Sequence, residues 1–272
     1  MFGGMMMTKN VTSDGGGAQM KRAGVSGQLV PFFKAVCVYF VLGAGAPSAA
    51  TAALKCAPII CLFCCVLYKA AYSAGERDTG RHHTNRSISG IREYSVSSFA
   101  VYCNVSSAIW CCDRGRYARF VCLGLALSAL GDAALVWPRL LAAGIVMFGA
   151  AHVAYIAAFG LRPRRAGLGA LAALAAALYV RTLRPAALAP FAMLVHVYAA
   201  LLAAMAWRGA ARPGPQRAGA LLFAISDALL GYSLFGGSLP YKNVLVMSTY
   251  YLGQLLIALS ALKPTEAQRH EH

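Results

Sequence analysis

Arg119–Trp137 reads RFVCLGLALSALGDAALVW, an apolar run long enough to cross a bilayer with one carboxylate, Asp132, inside it. Arg217–Phe235, RAGALLFAISDALLGYSLF, repeats the arrangement around Asp227. Between Arg114 and Thr265 these are the only two acidic residues. A carboxylate at membrane depth costs several kcal/mol on insertion scales. Ser or Asn would supply the same interhelical hydrogen bond at lower cost, so a purely structural role accounts poorly for either Asp. Two such groups that can meet in a bundle point to acid/base chemistry or to an ion path.

The surroundings make the chain a membrane protein. It is 59% hydrophobic and only 12% charged, whereas a soluble domain is nearer a quarter charged. Apolar stretches predict eight spans: Leu29–Gly45, Ala50–Tyr72, Arg119–Trp137, Leu140–Gly160, Ala166–Val180, Ala186–Trp207, Arg217–Phe235 and Asn243–Leu262. The runs are continuous and rich in Ala and Leu, without strand-like alternation, which predicts an all-α polytopic bundle and argues against a barrel. Residues 1–28 read as a flexible polar N-terminus without the apolar core of a cleavable leader. Residues 29–262 read as the transmembrane domain and residues 263–272 as a short tail. Ala74–Tyr117 is polar and basic and reads as a long loop. His82 and His83 within it have no further ligand at suitable spacing and read as solvated.

The formal net charge is +16. It does not call for nucleic acid, because Lys and Arg gather in short loops on one side of the membrane, among them Arg162, Arg164, Arg165, Arg208, Arg212 and Arg217. The other side holds Arg139, Arg181, Arg184 and Lys242. This bias predicts both termini in the cytosol. The sequons at Asn10, Asn85 and Asn104 then fall on the cytosolic side and stay unglycosylated. Nine Cys lie between Cys37 and Cys122. The Cys61, Cys64, Cys65 group has no nearby His and reads as apolar thiols rather than a metal site.

Leu127–Leu135 (LSALGDAAL) and Leu222–Leu230 (LFAISDALL) are weakly similar, with the two Asp in register. Their separation equals four spans, so both helices run in the same direction and carry the Asp at comparable depth. Further polar residues at membrane depth are Lys34, Lys55, His152, His196, Ser226, Tyr250, Tyr251 and Gln254. His152 and Tyr155 share one helical face, as do Tyr250 and Gln254. Ser226 precedes Asp227 and points elsewhere on its helix. The bland reading of such groups is interhelical hydrogen bonding, worth about 0.6 kcal/mol each. No G-x-S-x-G, H-E-x-x-H or P-loop motif is present, which argues against a serine lipase, a zinc protease or an ATP-driven pump.

Six stretches in this order resemble the lysoplasmalogenases of the YhhN-like transmembrane group: VPFFKAVCVYFVL (30–42), ALKCAPII (53–60), LSALGDAALVW (127–137), MFGAAHVAYIAAFG (147–160), ALLFAISDALL (220–230) and LVMSTYYLGQLLIALSA (245–261). The resemblance covers Leu29–Tyr72 and Arg116–Leu262. The Ala74–Tyr117 segment is longer than the family's connection. The resemblance implies a multi-pass protein, with the endoplasmic reticulum as the expected membrane. It implies hydrolysis of the vinyl ether of a lysophospholipid to a fatty aldehyde and glycerophosphocholine or glycerophosphoethanolamine. Protonation of the alkene carbon distal to oxygen leaves an oxocarbenium ion, to which water adds. The residues fit: one of Asp132 and Asp227 supplies the proton, and the other, ionised, stabilises the cation and activates water, much as paired carboxylates do in glycosidases. Lys34, Lys55, His152, Tyr155, Ser226, Tyr250 and Gln254 are the expected supporting or substrate-binding groups. This chemistry requires neither a metal nor an organic cofactor. The expected pocket is a lipid-width tunnel, with the two Asp facing across it and the headgroup near Lys34, Lys55 or Lys242. A proton-coupled transporter with the Asp pair as relay is the alternative, and a receptor-like or scaffold protein a third reading. No Gly/Pro-broken helix flanks either Asp, as a transporter would favour.

Overall fold

The computed structural model describes residues 27–43, 45–82, 113–185 and 189–262, and all regular structure among them is helical. These residues form eight helices: α1 (Val30–Leu42), α2 (Ala49–His82), α3 (Asp113–Ala134), α4 (Leu141–Phe159), α5 (Ala166–Val180), α6 (Ala192–Ala210), α7 (Pro215–Phe235) and α8 (Lys242–Leu262). Short 3-10 turns, Pro138–Leu140 and Ala189–Phe191, lead into α4 and α6. Punctuation in the sequence sets several boundaries. Pro31 lies in the first turn of α1, where its missing N–H costs nothing. Gly160, at φ 72°, ends α4 in a conformation that glycine adopts without strain.

Six helices, those numbered α2, α3, α4, α6, α7 and α8, are long and apolar enough to cross a membrane. The 13-residue α1 and 15-residue α5 are shorter apolar helices. At 1.5 Å per residue they reach roughly 20–23 Å, less than the ~30 Å hydrocarbon thickness. The eight expected apolar segments are thus all helical, and two of them fall short of full spanning length.

Contacts between connections show that the helices alternate in direction. At one end Lys69 Nζ donates to Leu262 O at 2.5 Å, Tyr117 Oη meets Ser260 Oγ at 2.6 Å, and buried Arg208 donates to Gly160 O at 2.7 Å and Pro163 O at 2.9 Å. This is the terminal end of the bundle, since it holds the start of α1 and the end of α8. At the opposite end the Arg184 N–H donates to Phe235 O at 2.8 Å, and Pro47, Trp137, Pro138 and Lys242 line one cavity.

Lipid tails are as apolar as leucine, so close packing rather than water exclusion holds such a bundle together. α7 and α8 meet closely. A Cβ at Gly219 would lie 2.8 Å from Gly253 O, and one at Gly253 would lie 3.0 Å from Gly219 O. The centre is aromatic: Phe223 stacks edge-on against His152, Tyr155 and Tyr250 at 5.1, 6.1 and 5.4 Å, and Phe148 meets Tyr250 at 5.9 Å.

The expected loop at 74–117 is corrected at both ends. α2 continues to His82 and α3 begins at Asp113. Loss of hydropathy does not by itself end a helix, and Ala74, Glu76 and Arg77 are helix formers. His83, the sequons at Asn10, Asn85 and Asn104, most of the polar N-terminus and the 263–272 tail lie outside the described residues.

Candidate active site

α3, running toward the opposite end, brings Asp132 to within a turn of its own C-terminus. There it meets the early turns of α2 and the middle of α8. Lys55 Nζ stands 3.4 Å from Asp132 Oδ1, and Tyr250 Oη donates to Oδ2 at 2.6 Å. Tyr251 Oη fixes the Lys55 backbone by donating to its carbonyl at 2.8 Å. Asp132 is 2% exposed and Lys55 is 16% exposed, so this is a largely desolvated ion pair with both carboxylate oxygens engaged.

α7 carries Asp227 into contact with α4 and α6. Tyr198 Oη donates to Asp227 Oδ2. His152 Nε2 lies 3.1 Å from the same oxygen and 3.1 Å from Tyr198 Oη, forming a closed triangle. The named contacts of Asp227 all fall on Oδ2, and Oδ1 forms no hydrogen bond among the described residues. His152 is fully buried and its Nδ1 has no partner among the described residues, which suits an imidazole that presents its Nε2 side to the carboxylate.

Both Asp line one cavity of about 320 Å³, together with Lys55, Ser226, Tyr250 and Lys242. The cavity reaches the opposite end of the bundle through Gly45, Pro47, Trp137 and Asn243. A second, larger cavity of about 520 Å³ is almost wholly apolar and lies among α4, α5, α6 and α7. Leu135, Leu141, Phe148, Asp227, Leu230 and Leu234 line both, so the cavities adjoin along a strip whose one polar member is Asp227.

The expected site residues separate into three groups. Lys55, Asp132, Ser226, Asp227 and Tyr250 line the polar cavity, and His152 supports it from behind Asp227. The Ser226 hydroxyl is committed to Val246 O at 2.9 Å, a bond that joins α7 to α8. Tyr155 and Gln254 bond each other at 2.7 Å in the buried interior and line neither cavity, so they lock α4 to α8. Lys34 is a correction. It is exposed and lines neither cavity. Tyr39, which does reach the polar cavity, lies five residues on, about 140° around the helix, so α1 turns Lys34 outward. His196 is likewise exposed and bonds its own helix, Nδ1 to Ala192 O at 2.6 Å. Tyr198 was missed from the sequence. Its only signal was a tyrosine near the middle of an apolar span.

Among the described residues no set of three or more His, Cys, Asp or Glu is placed to hold a metal. The described cysteines, including Cys61, Cys64 and Cys65, are free thiols.

Residues 95–261 match the YhhN family. The chain belongs to that family. The matched region contains Asp132, His152, Tyr198, Asp227 and Tyr250, while Lys55 precedes it. Among its relatives, the lysoplasmalogenase TMEM86A of Bos taurus is 34% identical across 88% of this chain and 90% of its own length. The Homo sapiens TMEM86A lysoplasmalogenase is 33% identical across 89% and 92%. The Homo sapiens TMEM86B lysoplasmalogenase reaches 40% across 55% and 66%. No solved structure matches the chain. As a YhhN protein it is a multi-pass membrane bundle, and nothing in these likenesses favours a transporter.

Proposed function

We propose that this chain is a lysoplasmalogenase, an ether hydrolase that cleaves the vinyl ether of a lysophospholipid within the membrane. The observation that carries the reading is the unequal pair of carboxylates on one buried cavity. Asp132 faces a cation, Lys55, and Asp227 faces a phenol and an imidazole. This division suits Asp132 to hold negative charge and Asp227 to hold the proton. With Tyr198 and His152 both on Oδ2, the proton of a neutral Asp227 belongs on Oδ1, the oxygen left for substrate.

In the first step Asp227 gives its proton to the alkene carbon distal to oxygen, and the double-bond electrons form that C–H bond. The adjacent carbon becomes an oxocarbenium centre, which the Asp132 carboxylate stabilises through space. Water adds to that carbon and gives up one proton to the carboxylate pair, restoring the proton spent. The hemiacetal transfers its hydroxyl proton to the glycerol oxygen as that C–O bond breaks, releasing the aldehyde and the glycerophospho base. The headgroup lies toward the cavity mouth, where Lys242 stands. The reading extends to both termini in the cytosol of an endoplasmic reticulum protein, supported by the Lys/Arg bias.

The test is aldehyde release by purified protein from lysoplasmenylcholine and lysoplasmenylethanolamine. Asp132→Asn and Asp227→Asn should each lower turnover by about 10²–10⁴-fold, the usual contribution of a general acid or base, while the protein stays inserted and folded. Near-full turnover by either inserted variant would remove the two-carboxylate mechanism.

A further inference from the structure

The apolar cavity has a shape that the cleavage reaction alone does not explain. From Asp227 and Tyr198 it runs along α6 past Leu202, Ala203 and Ala206 to Trp207 and, at its tip, Ala210. Nine residues of helix separate Tyr198 from Trp207, roughly 13 Å of rise. Alanines of α5, Ala172 and Ala176, form the facing wall. Trp207 is held firmly. Its Nε1 donates to Arg165 O at 3.1 Å, the Arg208 guanidinium lies 5.1 Å from its ring centre, and a Cβ at Gly169 would come within 2.8 Å of its ring. Only a glycine there lets the indole lie against α5.

The other end of the cavity adjoins the polar cavity at Leu141 and Leu234. Leu183, Val195 and Phe235 pack together, and the Arg184 N–H to Phe235 O bond ties the connection over them. Tyr179 Oη donates to Ala228 O at 2.7 Å and joins α5 to α7 beside Asp227. Below that clasp the exposed side chains of Leu171, Leu221 and Ile225 rim a slit toward lipid.

Resting on the proposed hydrolase reading, we infer that this groove holds the single aliphatic chain of the substrate, with Ala203 and Ala206 as its bore and Trp207 as its stop. The polar cavity claims the opposite end for the headgroup, and the two spaces touch at Asp227, where the vinyl ether must sit. The chain therefore points from Asp227 toward the terminal end. Chain length is selected at Ala203, Ala206 and Trp207, far from the reacting atoms.

Two measurements test this. The first is kcat/KM for lysoplasmalogens with dodecenyl, hexadecenyl and octadecenyl chains. Ala206→Phe should cut kcat/KM for the longest chain at least tenfold relative to the shortest, and Trp207→Ala should shift preference toward the longest. A uniform loss across lengths, or an unchanged profile in correctly inserted protein, overturns the assignment. The second needs no turnover. In a variant whose only tryptophan is Trp207, a non-hydrolysable 1-O-alkyl lysophosphatidylethanolamine brominated near the chain end should quench fluorescence saturably. The unbrominated lipid should reverse it, and Ala206→Phe should abolish it. Saturable quenching without hydrolysis by the unmodified chain would sink the hydrolase reading and leave the groove standing. Hydrolysis without saturable quenching would do the reverse.

Discussion

At Asp132 both carboxylate oxygens are engaged, one by an ammonium group and one by a phenol, and the carboxylate is almost fully buried. Removing one member of such a pair strands the other's charge, which costs about 3–5 kcal/mol. Lys55→Met should therefore lower thermal stability markedly. Lys55→Met/Asp132→Asn should recover most of that loss and remain inactive, a contrast that melting curves and aldehyde release read separately. If the single variant is as stable as the unmodified protein, the Lys55–Asp132 pair does not carry charge. Tyr198 acts on the other carboxylate. Tyr198→Phe keeps the ring in the core and deletes one donor to Asp227. A net hydrogen bond is worth about 0.5–1.5 kcal/mol, so kcat should fall by roughly 2- to 13-fold with little change in KM. A change confined to KM would place Tyr198 in substrate binding instead. The two Asp were legible in the sequence because a charge in an apolar run has few bland explanations. Tyr198 was not, because a tyrosine in a membrane helix sits equally well against lipid, a neighbouring helix or an active site. Only the rotational phase of α6 tells these apart.

At the scale of helices, the eight apolar runs became eight helices because run length and composition decide that locally. The errors lie where tertiary placement decides. Lys34 and Tyr39 share a short helix whose facing cannot be read from its own sequence, and α1 presents Tyr39 inward against Tyr251 at 5.5 Å. Tyr155 and Gln254, expected as supporting or substrate-binding groups, pair with each other across α4 and α8, a partnership that neither helix announces in its own sequence. The α7–α8 seam makes its own prediction. Because the methyl group of Gly219→Ala would need the space of the Gly253 carbonyl, the two backbones must part. Their separation would disturb the Ser226 to Val246 bond and move Asp227 relative to Tyr250. Gly219→Ala should lower both the melting temperature and turnover. Gly167→Ala, at a position where an added Cβ meets nothing within 4 Å, should change neither. Equal melting temperatures for the two variants would show that the seam is loose.

For the whole molecule, the alternation of helices sets Arg162, Arg164, Arg165, Arg212 and Arg217 apart from the end where the polar cavity opens. Glycan acceptor sites engineered into the 236–241 connection should be modified in microsomes, while Asn85 and Asn104 should stay bare. A glycan at either native position would reverse the orientation. Intact plasmalogen carries a second chain that the single bore proposed above does not hold, so its turnover should be at least a hundredfold below that of the single-chain lipid. Comparable rates for the two lipids would overturn the single-chain bore.

On the proposed reaction, the adjoining of a polar cavity and an apolar one at Asp227 also governs product release. On the proposed reaction the two fragments belong to different phases from the moment they part. The glycerophospho base leaves by water through the mouth beside Lys242. The aldehyde remains in the groove until it slips sideways between α5 and α7. The slow product is then the greasy one, and the bilayer acts as its sink. Long-chain aldehyde added to the vesicles should inhibit competitively, whereas glycerophosphoethanolamine at the same concentration should scarcely slow the reaction.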